Sequence, residues 1–199
     1  MSLDDISLID SESACDDALS VLSHSSVLGF DTESKPTFRK DEVSTGPHLI
    51  QLATETQVFL FQLSKLKRFD ALKSILESKS IDKVGFGLGN DRTLLKSKLD
   101  ISPDSVIDLA KLLRGDWHRG TVGAKVAVAH FFGQTFQKSK KTSTSNWASG
   151  SLTERQQLYA ANDAHVALKI YQEWMRTRSV SSEIDPPTDS PLSDSVSAD

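Results

Sequence analysis

Three short acidic segments that are far apart in the chain contain the residues best suited to chemistry. They are residues 30–33 (FDTE), 87–91 (GLGND) and 159–163 (YAAND). Each would place a carboxylate at the end of a strand or inside a helix, where an unpaired acid is unfavourable unless a cationic group lies opposite. We expect a pair of divalent metal ions to supply that positive charge.

The first segment places two acids on one side of a strand. Residues two apart on an extended strand face the same way, so Asp31 and Glu33 would project together and repel each other without a cation. The alternative is that the strand has already ended and that both acids stand in a solvated turn. A phosphatase of the haloacid dehalogenase type is disfavoured, because it would need a second Asp where Glu33 stands.

The second segment follows a strand that contains several glycines and precedes a helix. The glycines at positions 85, 87 and 89 would permit the close approach of another backbone or of a ligand. Asp91 is the candidate metal ligand here. The alternative is that Asn90 or Asp91 only caps the helix that follows.

The third segment lies inside a long predicted helix. Tyr159 and Asp163 are four residues apart and share one helix face. Asp is a poor interior helix former, so its presence there needs a reason. The alanines at positions 160, 161 and 164 would let the helix pack closely on a sheet, with Tyr159 and Asp163 turned toward the strand ends. The alternative is an exposed Asp163 on a solvated face, with Tyr159 in the core.

The surrounding pattern predicts an α/β fold that could position these segments. Three strands form an antiparallel meander, and alternating helices and strands follow, which indicates a mixed five-stranded sheet flanked by helices. A capping box of Thr153 and Gln156 marks the start of the last helix. The predicted strands are 27–30, 48–53, 57–61, 83–88 and 106–109, and the predicted helices are 11–23, 69–77, 91–99, 123–132 and 154–178.

Composition suits one intracellular domain. The chain has 199 residues, of which 38% are hydrophobic and 25% charged. Cys15 is its one cysteine, which excludes an intramolecular disulfide and a thiolate zinc site and favours a reducing, cytoplasmic location. We find neither a signal peptide nor an apolar run long enough for a bilayer, so we expect no membrane partner.

Charge is distributed unevenly, although the net charge is −4. Residues 1–17 contain six acids, residues 180–199 contain five, and neither segment has a Lys or Arg. The stretch between them holds all 23 basic residues and 16 acids, a net of +7, which suits a nucleic acid partner. We predict a domain over 1–178 and a disordered tail rich in Ser, Asp and Pro over 179–199.

The acidic segments resemble the motifs of the DEDD family of 3′–5′ exonucleases, in its tyrosine subclass, the group of ribonuclease D and the exonuclease domain of the Werner syndrome helicase. Residues 30–33 resemble the first motif, 83–91 (KVGFGLGND) the second and 159–164 (YAANDA) the third. Asn146 and Trp147 resemble the usual approach to the third motif, where we expect Trp147 to pack and position the tyrosine helix. The resemblance covers about residues 20–178.

This resemblance implies a ribonuclease-H-like fold and hydrolysis of phosphodiester bonds with two divalent ions, releasing nucleoside 5′-monophosphates. Asp31 would bridge the ions, Glu33 and Asp163 would complete the first, and Asp91 would hold the second mainly through waters. Tyr159 would orient the attacking water. Ligands that are all oxygen favour Mg²⁺ or Mn²⁺ over zinc.

Five further residues are candidate substrate contacts. Phe38 lies in the polar stretch 34–47 and could stack on the terminal base, whereas Lys138 and Lys140 could line the entry of the phosphate chain. Thr32 and Asn90 stand beside the candidate metal ligands. For the two loops, the alternative is that they are merely solvated.

Two other functions remain open at this point. One is a nucleic-acid-binding domain that keeps the fold without catalysis. The other is an endonuclease of the ribonuclease H type, which would use the same metals but gives no reason for Tyr159. The sequence does not distinguish DNA from RNA as the substrate.

Overall fold

The antiparallel meander predicted from the sequence forms the centre of the molecule. The computed structural model describes residues 1–115 and 118–184. The strands in these residues are β1 (Ile6–Ile9), β2 (Val27–Glu33), β3 (Leu49–Ala53), β4 (Val58–Gln62), β5 (Asp82–Gly85) and β6 (Val106–Asp108). They form one sheet in the order β1-β4-β3-β2-β5-β6. β2, β3 and β4 are antiparallel neighbours, and β5 and β6 continue the sheet in parallel with β2.

Helices cover both faces of the sheet, which confirms the predicted α/β class. The helices in the described residues are α1 (Glu12–Leu22), α2 (Asp70–Leu76), α3 (Gly89–Leu99), α4 (Leu109–Leu112), α5 (Ala124–Phe132), α6 (Lys140–Ser143) and α7 (Glu154–Ile184). On one face α1, α2 and α3 pack on β2 around Leu22, Phe30 and Leu72. On the other face α7 packs on β3 and β4 around Leu49 and Leu60.

The prediction of five strands is wrong by one, because the acidic N-terminal segment contributes β1. This strand pairs in parallel with β4, from Ile6 beside Val58 to Ile9 beside Phe61. Ile9 is buried in the core on the α1 side, whereas Ile6 packs against the core under α7. Alternating apolar residues and the free edge of β4 therefore outweigh the acids that flank the strand.

β2 is longer than predicted, and its extension decides how the first acidic segment is presented. The strand pairs with β3 from Gly29 beside Ala53 to Glu33 beside Leu49. Asp31 and Glu33 therefore belong to a paired strand, and the alternative of a solvated turn is excluded. Both side chains project from the face that α7 covers.

Close packing of α7 on β2 depends on a glycine. A Cβ atom at Gly29 would lie 2.1 Å from the backbone oxygen of Ala164, so no other residue fits without moving the helix. The predicted capping box begins this helix: the Gln156 backbone N–H donates to Thr153 Oγ1, and the Thr153 N–H donates to Gln156 Oε1. Small side chains and a fixed start thus bring the third acidic segment against the sheet.

α7 continues six residues past the predicted end at 178 and reaches Ile184. The first residues of the predicted tail are therefore helical, and the rest of it, residues 185–199, lies outside the described residues. None of the helices described here combines the length and the apolar character that crossing a membrane requires.

Candidate active site

Three carboxylates that are distant in sequence converge between β2 and α7. One carboxylate oxygen from each of Asp31, Glu33 and Asp163 lies within 4.8 Å of the other two. Asp31 and Glu33 project from the last residues of β2, and Asp163 faces them from α7. Asp163 is only 7% exposed, so the alternative in which it lies on a solvated helix face is excluded.

Burial and mutual repulsion favour the protonated forms of Asp31 and Glu33 in this cluster. The pKa of Asp31 is raised to about 8 by burial and then by the charges of Asp163 and Asp91. The pKa of Glu33 is raised to about 9 by burial and then by Asp31 and Asp163. Burial also raises the pKa of Asp163, although Lys138 acts in the opposite direction. A cation that entered the cluster would therefore replace protons.

Lys138 provides a positive charge inside the cluster. Its Nζ lies 2.8 Å from Asp163 Oδ2 and 5.5 Å from the centre of the Tyr159 ring. Burial acts to lower the pKa of Lys138, but the charge of Asp163 and the hydrogen bond to it outweigh that effect and the pKa is raised. The predicted phosphate contact is thus paired with a candidate metal ligand.

Asp91 lies beside the cluster but is not one of its three converging carboxylates. It stands in the first turn of α3, where its Oδ1 accepts a hydrogen bond of 2.5 Å from Thr32 Oγ1. Neither Asn90 nor Asp91 caps α3, because the N-cap is Leu88 and has no side-chain cap bond. Thr32 therefore holds Asp91 at the end of β2, and the charge of Asp91 contributes to the raised pKa of Asp31.

Tyr159 stands one helical turn before Asp163 and packs against Trp147. The two ring centroids are 6.0 Å apart, and Trp147 is 1% exposed with its Nε1 donating to the Ser143 backbone oxygen. Trp147 is thus a packing residue, as predicted. Burial and then the charge of Asp163 raise the pKa of Tyr159 to about 12.

The other four predicted substrate contacts differ in their exposure to solvent. Phe38 is 80% exposed on the loop between β2 and β3. Asn90 and Lys140 are exposed at the starts of α3 and α6. Thr32, by contrast, is only 8% exposed, and its hydroxyl is bonded to Asp91.

Gln51 is a residue that the sequence analysis missed. It lies on β3 directly opposite Asp31, is fully buried, and neither atom of its amide group has a hydrogen-bond partner within the described residues. The available signal was a lone amide inside the apolar strand 48–53.

The cluster suits a hard divalent cation. Asp163 Oδ1 is buried and has no hydrogen-bond partner among the residues that the structure describes, although its Oδ2 is paired with Lys138. A buried carboxylate oxygen without a partner is unfavourable unless a cation binds it. Carboxylate oxygens are also the ligands that Mg²⁺ and Mn²⁺ prefer. The residues present therefore fit the metal that the sequence analysis predicts.

Comparison with known proteins identifies relatives over most of the chain. A family model described as 3′–5′ exonuclease matches residues 6–177. The mouse bifunctional 3′-5′ exonuclease/ATP-dependent helicase WRN is 34% identical over 154 residues, which are 76% of this chain and 11% of that protein. The Drosophila melanogaster exonuclease 3′-5′ domain-containing protein 2 is 32% identical over 130 residues, 64% of this chain and 22% of that protein. The chain spans between 11% and 39% of the length of the curated relatives it matches.

Solved structures agree with the fold. The Aedes aegypti Nibbler EXO domain superposes with a TM-score of 0.77 at 24% identity, covering 90% of this chain and 91% of that one. Escherichia coli RNase D gives a TM-score of 0.76 at 24% identity, covering 89% of this chain and 46% of that one. These likenesses show the ribonuclease-H-like fold. With the family model matched over nearly the whole described domain, the chain belongs to the DEDD family of 3′–5′ exonucleases.

Proposed function

We propose that this chain is a metal-dependent 3′–5′ exonuclease of the tyrosine subclass. It removes nucleotides from the 3′ ends of nucleic acids and releases nucleoside 5′-monophosphates. The observation that carries the proposal is the convergence of Asp31, Glu33 and Asp163 within 4.8 Å, with Tyr159 one turn from Asp163. Membership of the exonuclease family supports the same reaction.

Two divalent ions, Mg²⁺ or Mn²⁺, are the proposed cofactors. Asp31, Glu33 and Asp163 would hold one ion, and Asp91 with Asp31 would hold the other. When bound, such a pair stabilises the attacking and leaving oxygens of an in-line displacement. The chain contributes ligands that the fold holds in place, since Thr32 fixes Asp91 and the close contact at Gly29 fixes the α7 side.

In the proposed reaction a water oxygen bonds to the terminal phosphorus and the bond from phosphorus to O3′ of the preceding nucleotide breaks. The attacking water gives up its proton to solvent, that O3′ takes a proton from solvent, and the last nucleotide leaves with its 5′-phosphate. The Tyr159 hydroxyl orients the water but keeps its own proton at neutral pH, because its pKa is raised to about 12. Lys138, whose Nζ lies 2.8 Å from Asp163 Oδ2 inside the cluster, offsets negative charge on the phosphate.

Nucleic acid is the proposed partner, with Phe38 and Lys140 on the exposed surface that approaches the 3′ end. Both DNA and RNA are candidate substrates. One relative is a bifunctional exonuclease and helicase. A Trypanosoma brucei RNase D that shares the fold, with a TM-score of 0.74 at 18% identity, was solved in complex with an RNA. Matched DNA and RNA oligonucleotides with single-stranded and recessed 3′ ends would decide between them. Cytoplasmic location stays a prediction.

The test of activity uses a 5′-labelled oligonucleotide with Mg²⁺ or Mn²⁺. We expect stepwise shortening by the wild-type chain and none by Asp31→Asn or Asp163→Asn, whereas Asp16→Asn on the exposed surface of α1 should retain full activity. Circular dichroism checks that the variants fold. An active Asp163→Asn would contradict the site assignment.

Tyr159→Phe tests the tyrosine separately. It keeps the ring beside Trp147 and removes the hydroxyl that orients the water, so we expect a turnover lowered by roughly 10²-fold with unchanged Mn²⁺ binding. A wild-type rate would remove Tyr159 from the mechanism. Cleavage of a circular single strand would instead indicate an endonuclease, and oligonucleotide binding without mononucleotide release would indicate a binding domain.

A further inference from the structure

Gln51 is a fully buried amide in an apolar layer. It lies in the middle of β3, and its side chain faces α7 together with those of Leu49 and Ala53, its neighbours on that side of the strand. Leu60 lies beside it on β4. Neither Nε2 nor Oε1 has a hydrogen-bond partner in the described residues. Burying an amide without partners lowers stability, so the position calls for a role beyond folding.

The polar neighbour of Gln51 across the sheet is Asp31. The two residues are directly paired between β3 and β2. Side chains of such a pair point to the same face with Cβ atoms about 4.5–5.5 Å apart, within reach of a long amide. Within the described residues, one hydrogen bond is donated to the Asp31 carboxylate, from the Thr32 N–H to Oδ1 at 2.9 Å.

We propose that Gln51 is a positioning residue for Asp31 in the metal-bound protein. Its Nε2 donates to the Asp31 carboxylate, directly or through one water, and fixes the plane in which that carboxylate binds cations. The terminal torsion of a Gln side chain is soft, so the amide can turn toward Asp31 without moving β3. The inference rests on the proposed function, because it assumes that Asp31 is a metal ligand.

Residues that donate a hydrogen bond to a metal ligand, as Gln51 is proposed to do, are important for metal binding. Ligands at metal sites are oriented by hydrogen bonds from neighbouring groups, whose loss typically lowers metal affinity or activity about 10–100-fold. The Thr32 N–H holds one carboxylate oxygen from the backbone of β2 itself. Gln51 supplies the corresponding support from the neighbouring strand.

A second buried amide in the same sheet provides a matched control. Gln62 at the end of β4 is 2% exposed, and its Nε2 donates to the Ser149 backbone oxygen at 2.9 Å. Gln62 thus has a structural hydrogen bond, whereas Gln51 has none in the described residues. The two residues should respond differently to the same substitution.

The experiment compares Gln51→Met and Gln62→Met by calorimetric titration with Mn²⁺ and by thermal unfolding without metal. We expect Gln51→Met to bind Mn²⁺ about 10–100-fold more weakly. Its unfolding midpoint without metal should be unchanged or higher, because an unpaired amide is replaced by an apolar side chain of similar length. Gln62→Met should unfold at a lower temperature and bind Mn²⁺ as wild type does.

The outcomes separate this inference from the function on which it rests. If the wild-type chain binds Mn²⁺ and Gln51→Met binds it with the same affinity, the proposed role of Gln51 is overturned and the proposed metal site is not. Failure of the wild-type chain to bind Mn²⁺ overturns the proposed metal site, and this inference with it. If Gln51→Met does not fold, Gln51→Leu is measured in the same way and must show the same loss of affinity.

Discussion

Removing the Lys138 ammonium should strengthen metal binding in the absence of substrate. The Lys138 Nζ lies 2.8 Å from Asp163 Oδ2, inside a cluster that is proposed to bind divalent cations. A cation that binds Asp163 must either displace Lys138 or remain close to its positive charge. Both routes oppose binding, so Lys138→Met should raise the affinity for Mn²⁺.

The magnitude follows from the ion pair. A hydrogen bond between charged groups contributes about 1.5–3 kcal/mol. The Lys138 side chain is 32% exposed, so solvent screening favours the lower part of that range, about 1.5–2 kcal/mol. Since about 1.4 kcal/mol corresponds to a tenfold change in a binding constant, we expect Mn²⁺ to bind roughly 10–30-fold more tightly to Lys138→Met.

Calorimetric titration with Mn²⁺, without nucleic acid, measures this change. Lys140→Met is the control, because it removes an exposed charge two residues away. Its affinity should stay within about twofold of wild type, since charges in solvent are screened over about 10 Å. Weaker binding by Lys138→Met would refute the reasoning, because it would mean that the ammonium orients Asp163 for the metal. An equal change in Mn²⁺ affinity in both variants would mean that only the net charge of the protein affects binding.

Two further predictions concern the fold and the protons of the site. Gly29→Ala would place a Cβ against the Ala164 backbone oxygen and should lower the free energy of unfolding by about 3 kcal/mol or more. The control is Gly89→Ala, where a Cβ meets nothing within 4 Å and the free energy of unfolding should rise by up to about 1 kcal/mol. Urea titration measures both changes. The metal-free protein should lose stability as the pH rises from about 5 to 9, because the raised pKa values of Asp31 (about 8) and Glu33 (about 9) keep protons on the folded chain that unfolded carboxylates have released. Thermal midpoints that rise across this range would contradict it.

Local periodicity was enough to predict the main elements and part of the candidate site. Alternation along a strand places Asp31 and Glu33 on one side, and the helical repeat places Tyr159 and Asp163 on one face, so each pair follows from spacing alone. The capping box at Thr153 marked the start of α7 for the same reason, since its bonds join residues three apart.

The edges of these elements depended on partners that are distant in sequence. β1 forms because the edge of β4 pairs with Ile6–Ile9, and the apolar residues of this short segment did not by themselves predict a strand among the acids around it. β2 runs on to Glu33 because β3 pairs with it there. The paired residues are 16 positions apart for Glu33 and Leu49 and 52 for Ile6 and Val58, so the local sequence pattern around one strand does not include its partner.

The sequence alone determined which residues could do the chemistry, because side-chain type and short spacing are written in it. The tertiary structure alone decided how they are paired: Lys138 with Asp163, Thr32 with Asp91, and Gln51 opposite Asp31 without a hydrogen-bond partner in the described chain. The physical reason is distance. Hydrogen bonds and ion pairs form over about 3 Å. Only the folded chain brings these groups so close: α7 packs beside the loop that carries Lys138, α3 packs at the end of β2, and β3 pairs with β2.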